Sequence, residues 1–211
     1  MKGALMKIIT ISREFGSGGR EIGKRLAAIL GYDYYDKEII AEICANKGVG
    51  EDYVTRALEN PDWKDMALTY NRSFFGVSME SAQVDVLLEQ KHVIEEIAKE
   101  GKDCVIVGRN ADVILYDYKP FNMFFCADVA SKIKRCQERM TEEEQLTEKE
   151  IKKQMNRIDK NRAHTRGIVT SIPWGEKCAY HMTVNTANWN MEELAKAIAG
   201  FTQSWFNSKG K

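Results

Sequence analysis

The sequence predicts an α/β fold: a five-stranded parallel sheet flanked by helices, forming a single domain over residues 1–211. Three observations carry that expectation. Short, continuous apolar runs at Ile8-Ile9-Thr10-Ile11, Cys104-Val105-Ile106-Val107 and Asn122-Met123-Phe124-Phe125-Cys126 have the make-up of strands buried on both faces. Segments with helical spacing of apolar residues separate these runs, as crossover-linked parallel strands require. A glycine-rich stretch, Gly16-Ser17-Gly18-Gly19, joins the first strand to the first helix, at the strand end where such sheets bind ligands.

Each further element follows from local pattern. Ile22, Leu26, Ile29 and Leu30 share one helical face, and Gly31 follows as a C-cap. Tyr32-Asp33-Tyr34-Tyr35 reads as a short edge segment. Asp36 stands at an N-cap position ahead of Ile39, Ile40, Ile43 and Cys44. Over residues 46–81 the pattern loosens, with a break at Asn60-Pro61-Asp62 and an aromatic cluster from Tyr70 to Phe75. A small helical excursion over one end of the sheet is expected there, within residues 33–82. Val84, Leu87, Leu88, Ile94, Ile97 and Ala98 restore a helix, closed by Gly101.

In the second half, residues 132–140 form a helix with Arg135 and Arg139 one turn apart, read as a solvated face. Residues 141–166 are dense in charge, with Ile151, Met155 and Ile158 as a thin apolar stripe, which predicts a helix resting lightly on the body. Residues 167–177 read as a loop around Pro173. His181-Met182-Thr183-Val184 is the last strand, and Leu194, Ile198, Phe201 and Trp205 form the buried face of a closing helix.

Composition narrows the function. Lys plus Arg and Asp plus Glu are equal at 31 each, so no net field draws the chain to nucleic acid or an anionic membrane. The 5 cysteines are odd in number, lack CxxC spacing and have no nearby histidine, which argues against a disulfide framework or zinc site. No apolar run reaches the roughly 18 residues that cross a bilayer, and Met1 to Leu5 is too short for a signal peptide. The expectation is a cytoplasmic protein, monomer or homodimer, whose partners are small nucleotides rather than nucleic acid or membrane. Trp174 and Tyr180 read as packing residues.

A strand, a glycine-rich turn and a helix N-terminus make an anion site. Glycine permits positive φ and close backbone approach, and the helix adds unpaired N–H donors and a positive dipole end. Phosphate is the natural guest, held by Phe15, Gly16, Ser17, Gly18, Gly19, Arg20 and Glu21. Yet the pattern G-x-x-x-x-G-K-[ST] is not met. Glu14 stands where its first glycine belongs, Arg20 replaces the lysine and Glu21 the metal-ligating Ser or Thr. A ligand-free turn is the alternative reading.

Three further segments line up with the loop: Val107-Gly108-Arg109-Asn110, Asp159-x-x-Arg162 and Val184-Asn185-Thr186. With Ser12-Arg13-Glu14-Phe15-Gly16-Ser17-Gly18-Gly19 and Leu30-Gly31-Tyr32-x-Tyr34-Tyr35-Asp36, the chain resembles the cytidylate kinase-like proteins with the SREFGSGG loop. The resemblance implies a P-loop NTPase-type sheet with a helical acceptor-binding excursion and a lid over residues 141–177. It implies ATP and Mg²⁺ as cofactors. Arg20, Arg109, Arg162 and Asp159 would be the catalytic residues. Arg109, Asn110 and Asp36 would meet the acceptor, while the residues by themselves read Asp36 as a helix cap rather than a catalytic group and Asp159–Arg162 as a surface ion pair as readily as a site. Ser17, with Asp112 in an outer shell, would handle magnesium.

The departures bear on the acceptor. Both carboxylates that flank Gly-Arg in the family are replaced, by Val107 and Asn110, and the family's earlier lid arginine falls on Met155. The expected activity is transfer of the ATP γ-phosphoryl group to a small acceptor, led by a (deoxy)cytidine or other pyrimidine monophosphate. A kinase of another small metabolite and a non-catalytic nucleotide-binding regulator are the competing readings.

Overall fold

The computed structural model describes residues 6–59, 79–141 and 146–209. The Asn60-Pro61-Asp62 break and the Tyr70 to Phe75 cluster lie outside them, as do parts of the expected excursion and of the expected lid.

Five strands form the sheet: β1 (Ile8–Arg13), β2 (Asp33–Tyr35), β3 (Cys104–Val107), β4 (Phe121–Cys126) and β5 (Met182–Asn185), in the order β2-β3-β1-β4-β5. Every pairing is parallel. Register places Ile8 beside Cys104 and Ile11 beside Val107, so β1 and β3 start level and β1 runs on past the end of β3 to Arg13. Strand side chains alternate between faces. Ile8, Cys104 and Ile106 therefore enter one core, and Ile9, Ile11, Val105 and Val107 the other.

The first core is covered by α2 (Glu38–Lys47), α3 (Glu51–Glu59) and α4 (Met79–Lys99), the second by α1 (Gly19–Leu30) and α8 (Met191–Lys209). Helix α1 lies close to the sheet because residue 23 is glycine. A Cβ there would come within 2.9 Å of both Ile11 and Val107. Gly31 ends α1 at φ 70°, its N–H donating to the Ala27 carbonyl, as expected.

Between β3 and β4 runs a short helix, α5 (Ala111–Ile114), and after β4 comes α6 (Val129–Glu138), capped by Asp128 on the Ser131 N–H. The charged segment forms α7 (Glu148–Val169), opened by a reciprocal capping box between Thr147 and Glu150. It continues through Gly167, so the loop around Pro173 is shorter than the sequence implied.

Several apolar assignments need correction. Ile29, Val84, Leu88 and Phe201 are exposed, while Ala27, Val86, Val93 and Ala199 are buried. Helix α7 does more than rest lightly. Ile151 and Met155 pack with Ile133 of α6 and with Phe15. Asn161, Thr165 and Arg166 are also buried.

Candidate active site

The carboxyl ends of β1 and β3 converge on one face, and the loops that leave them carry the expected site residues. Gly16 and Gly18 adopt φ 75° and 82°, conformations that side chains other than glycine rarely take. Gly19 answers a different demand, since a Cβ there would lie 2.7 Å from that of Arg13. Gly18 precedes α1 and supplies no side-chain cap, which leaves the first-turn N–H groups for a ligand.

The loop's unusual charges are each neutralised. Glu14 accepts from Lys132 Nζ at 2.8 Å. Glu21 meets Arg139 at 2.5 Å and Arg25 at 3.0 Å. Arg135, read as part of a solvated face, instead donates to the Thr186 carbonyl and hydroxyl, and that hydroxyl donates to the Ser17 carbonyl at 2.6 Å. Arg135 and Thr186 thus fix the loop from behind. Burial, with Arg139 adding to it, lowers the Arg135 pKa.

Arg20 points across to Asp36, with Nε 2.5 Å from the carboxylate. Asp36 is buried and also lies 3.8 Å from Arg13. The cap of α2 is Lys37, so Asp36 does not cap that helix. It is the counter-ion for two arginines. Glu38 accepts the Asp36 N–H instead.

Asp159 and Arg162 pair at 2.9 Å, but not as a surface bridge. Asp159 accepts the Phe15 N–H at 2.8 Å, and Arg162 donates to the Arg13 carbonyl at 2.9 Å. Together they bolt α7 to the glycine-rich loop. Burial raises the Asp159 pKa, against the opposing pull of Arg162 and the Phe15 N–H.

Arg109 and Asn110 both sit in the left-handed region, at φ 60° and 54°. Gln90, buried on α4, donates to the Arg109 carbonyl and supports that turn. Both side chains line a cavity of about 60 Å³ with Arg13, Asn161, Arg162 and Trp174. Trp174 also packs edge-on against Phe124, as expected of a packing residue. A second cavity, of about 610 Å³, lies over the loop, between Gly16, Gly18, Gly19, Arg20 and the α6–α7 side. Arg13, Ile158 and Arg162 line both.

Arg13 is the residue that sequence reasoning overlooked. It ends β1, where it reads as the last residue of a strand, and its place in the conspicuous SREFGSGG stretch was the available signal. A Cβ on Gly108 would overlap its guanidinium, so the glycine exists to admit it. Burial lowers the Arg13 pKa well below the ordinary value, with Arg162 adding to the effect and Asp36 opposing it.

Ser17 and Asp112, expected at the magnesium, are each engaged within the protein. The Ser17 hydroxyl donates to the Glu14 carbonyl at 2.8 Å, and Asp112 is held by Arg166 at 2.7 Å in a fully buried ion pair. Among the described residues no cluster of three or more His, Cys, Asp or Glu side chains is placed to hold a metal.

A five-stranded parallel sheet with a glycine-rich loop at the end of its first strand and a helix across that end is the fold of the P-loop kinases. The chain belongs to the cytidylate kinase-like family, whose model matches residues 8–188. It is similar to the structure of an uncharacterised protein from Eubacterium ventriosum ATCC 27560, at 25% identity and a TM-score of 0.69, covering 94% of this chain and 99% of that one. It also shares its fold with the shikimate kinase of Acinetobacter baumannii, solved in complex with shikimate, at 13% identity and a TM-score of 0.55 over 95% of each chain. The shikimate kinase of Bacteroides thetaiotaomicron is similar at 13% identity and a TM-score of 0.56, over 94% of this chain and 99% of that one. No curated protein matches the chain. Family and fold together support a nucleotide or small-molecule kinase. No helix among the described residues is long and apolar enough to cross a membrane.

Proposed function

We propose that the protein moves the γ-phosphoryl group of ATP to a small acceptor, led by CMP, dCMP or another pyrimidine monophosphate. One observation carries this reading: the cavity over the glycine-rich loop and the cavity at Arg109 meet at a wall made by Arg13, Ile158 and Arg162. A donor phosphate in the first and an acceptor in the second would face each other across two guanidinium groups. Phosphoryl transfer needs in-line positioning and cationic screening of the equatorial oxygens more than covalent help, and arginine supplies both.

The residues fit a nucleoside triphosphate. The positive-φ glycines and the uncapped start of α1 form a cradle for its phosphates. A polar groove beside the loop shares Arg135 and Arg139 with it and exposes Trp189, on which the adenine would stack. ATP, once bound, supplies the phosphoryl group and leaves as ADP. Arg13 and Arg162 would bridge donor and acceptor, Arg109 would hold the acceptor's anionic group, and Asp36 would keep Arg13 and Arg20 in place.

A second reading, a nucleotide-binding regulator without transfer, is favoured by the commitment of Ser17 to Glu14 and of Asp112 to Arg166. One experiment separates the two. Thermal shift against a panel of nucleotides, followed by a phosphoryl-transfer assay with the hits, should give ATP-dependent conversion of CMP or dCMP. A ligand present at about a hundred times its dissociation constant raises stability by about 2.7 kcal/mol. Binding of ATP without transfer to any acceptor supports the regulator. Transfer to a hydroxy acid but to no nucleotide supports the kinase of another metabolite.

A further inference from the structure

Asn161 lies on α7 between Asp159 and Arg162 and is 3% exposed. Neither the nitrogen nor the oxygen of its side-chain amide finds a hydrogen-bond partner among the described residues. Burying an amide without partners destabilises a fold, and a leucine would fill the same space without that cost. Asn161 lines the cavity at Arg109 together with Arg13, Arg109 and Arg162.

Two neighbouring polar side chains, Thr165 and Gln90, are already engaged. The Thr165 hydroxyl donates to the Asn161 and Leu58 carbonyls, and the Gln90 amide nitrogen donates to the Arg109 carbonyl. The arginines can only donate, so they suit an anion and can accept nothing from it. The Asn161 amide adds what they lack, an acceptor beside a donor in one plane. Its complement is a planar edge that carries a donor beside an acceptor, the geometry by which asparagine reads a nucleobase.

We infer that Asn161 is the residue that selects the acceptor, by pairing its amide with the donor–acceptor edge of a base whose phosphate the neighbouring arginines hold. The inference rests on reading this cavity as the acceptor site. On cytosine the edge is the exocyclic N4–H beside ring N3.

The test is calorimetric binding of CMP and of 3-deaza-CMP, in which a C–H replaces N3, to the full chain. Wild type, Asn161→Leu and Arg109→Met are compared. Wild type should prefer CMP by at least about tenfold. Asn161→Leu should lose that preference while its ligand-free melting temperature stays level or rises. Arg109→Met should bind both ligands weakly and keep the preference. Equal affinity of wild type for the two ligands overturns the inference whether or not any variant folds. So does an Asn161→Leu protein that still discriminates. If Arg109→Met binds CMP as well as wild type does, or wild type does not bind CMP, the acceptor reading of the cavity falls as well.

Discussion

Arg20 and Asp36 form an ion pair across the mouth of the site, with Nε 2.5 Å from the carboxylate, although Arg20 is 54% exposed and Asp36 is buried. Asp36 therefore holds the arginine of the glycine-rich loop against the segment that follows β2. A triphosphate on the loop would compete with Asp36 for the same guanidinium.

Arg20→Ala is expected to weaken ATP binding roughly tenfold to a hundredfold while leaving adenosine binding nearly unchanged, since a charge-assisted contact to phosphate oxygens is lost. Arg20→Lys should recover part of the affinity, because lysine keeps the charge and lacks the fork. Isothermal titration with both ligands is the measurement. Equal losses for ATP and adenosine would assign Arg20 to the fold alone.

Gly108→Ala should be among the most damaging small substitutions. Residue 108 sits at φ 78°, and a methyl there would overlap the Arg13 guanidinium. Backbone strain of that kind costs about 1–3 kcal/mol, readable as a lower urea midpoint. Binding at both cavities should weaken with it, because Arg13 lines both. Retained affinity for both nucleotides would show that the guanidinium can move without consequence.

Asp112→Ala leaves Arg166 charged and 2% exposed, with its Ile172 carbonyl and the Tyr180 ring 5.6 Å away as its remaining company. Breaking a buried pair from one side costs about 3–5 kcal/mol, so the unfolding midpoint should drop sharply. The fraction that remains folded should bind ATP with unchanged affinity in magnesium buffer. A magnesium ligand at Asp112 would give the reverse outcome, normal stability with weakened ATP binding.

Asp159 gives stability a pH dependence. Its native pKa is raised by burial, so protonation favours the folded state. The contribution is complete below the ordinary carboxyl value of about 4 and is lost as pH rises through the native value. Asp159→Asn should remove that loss. Urea midpoints measured upward from about pH 4 should fall more steeply for wild type than for the variant, once the shared trend of the other groups is subtracted. Parallel curves would mean that the Phe15 N–H and Arg162 offset burial.

The sheet was legible because its three central strands, β3, β1 and β4, carry apolar runs that no surface element needs. Helix faces were less so. Leu88 falls on an apolar stripe but is 59% exposed, whereas Val86 and Val93 lie against the sheet. Spacing alone does not say which edge of a wide stripe turns inward. The burial of α7 was hidden for a different reason. The residues that seat it include Asn161, Thr165 and Arg166, and hydropathy scores polar side chains as exposed. Asp159 and Arg162 were found through the family pattern, but their grip on the Phe15 N–H and the Arg13 carbonyl joins elements that only the fold brings together. Asn161 was missed on the same ground, and Arg13 because it reads as the last residue of a strand although it lies within the SREFGSGG stretch.

The apolar seat made by Ile133, Ile151 and Met155 against Phe15 has a consequence for temperature. At Met155 the family resemblance implied an arginine, whose hold on a phosphate would weaken as salt rises. Grease answers to heat instead. Apolar contact near room temperature is driven by water's entropy and loses strength on cooling. The apolar part of α7's seat on the loop should therefore survive molar salt and loosen in the cold.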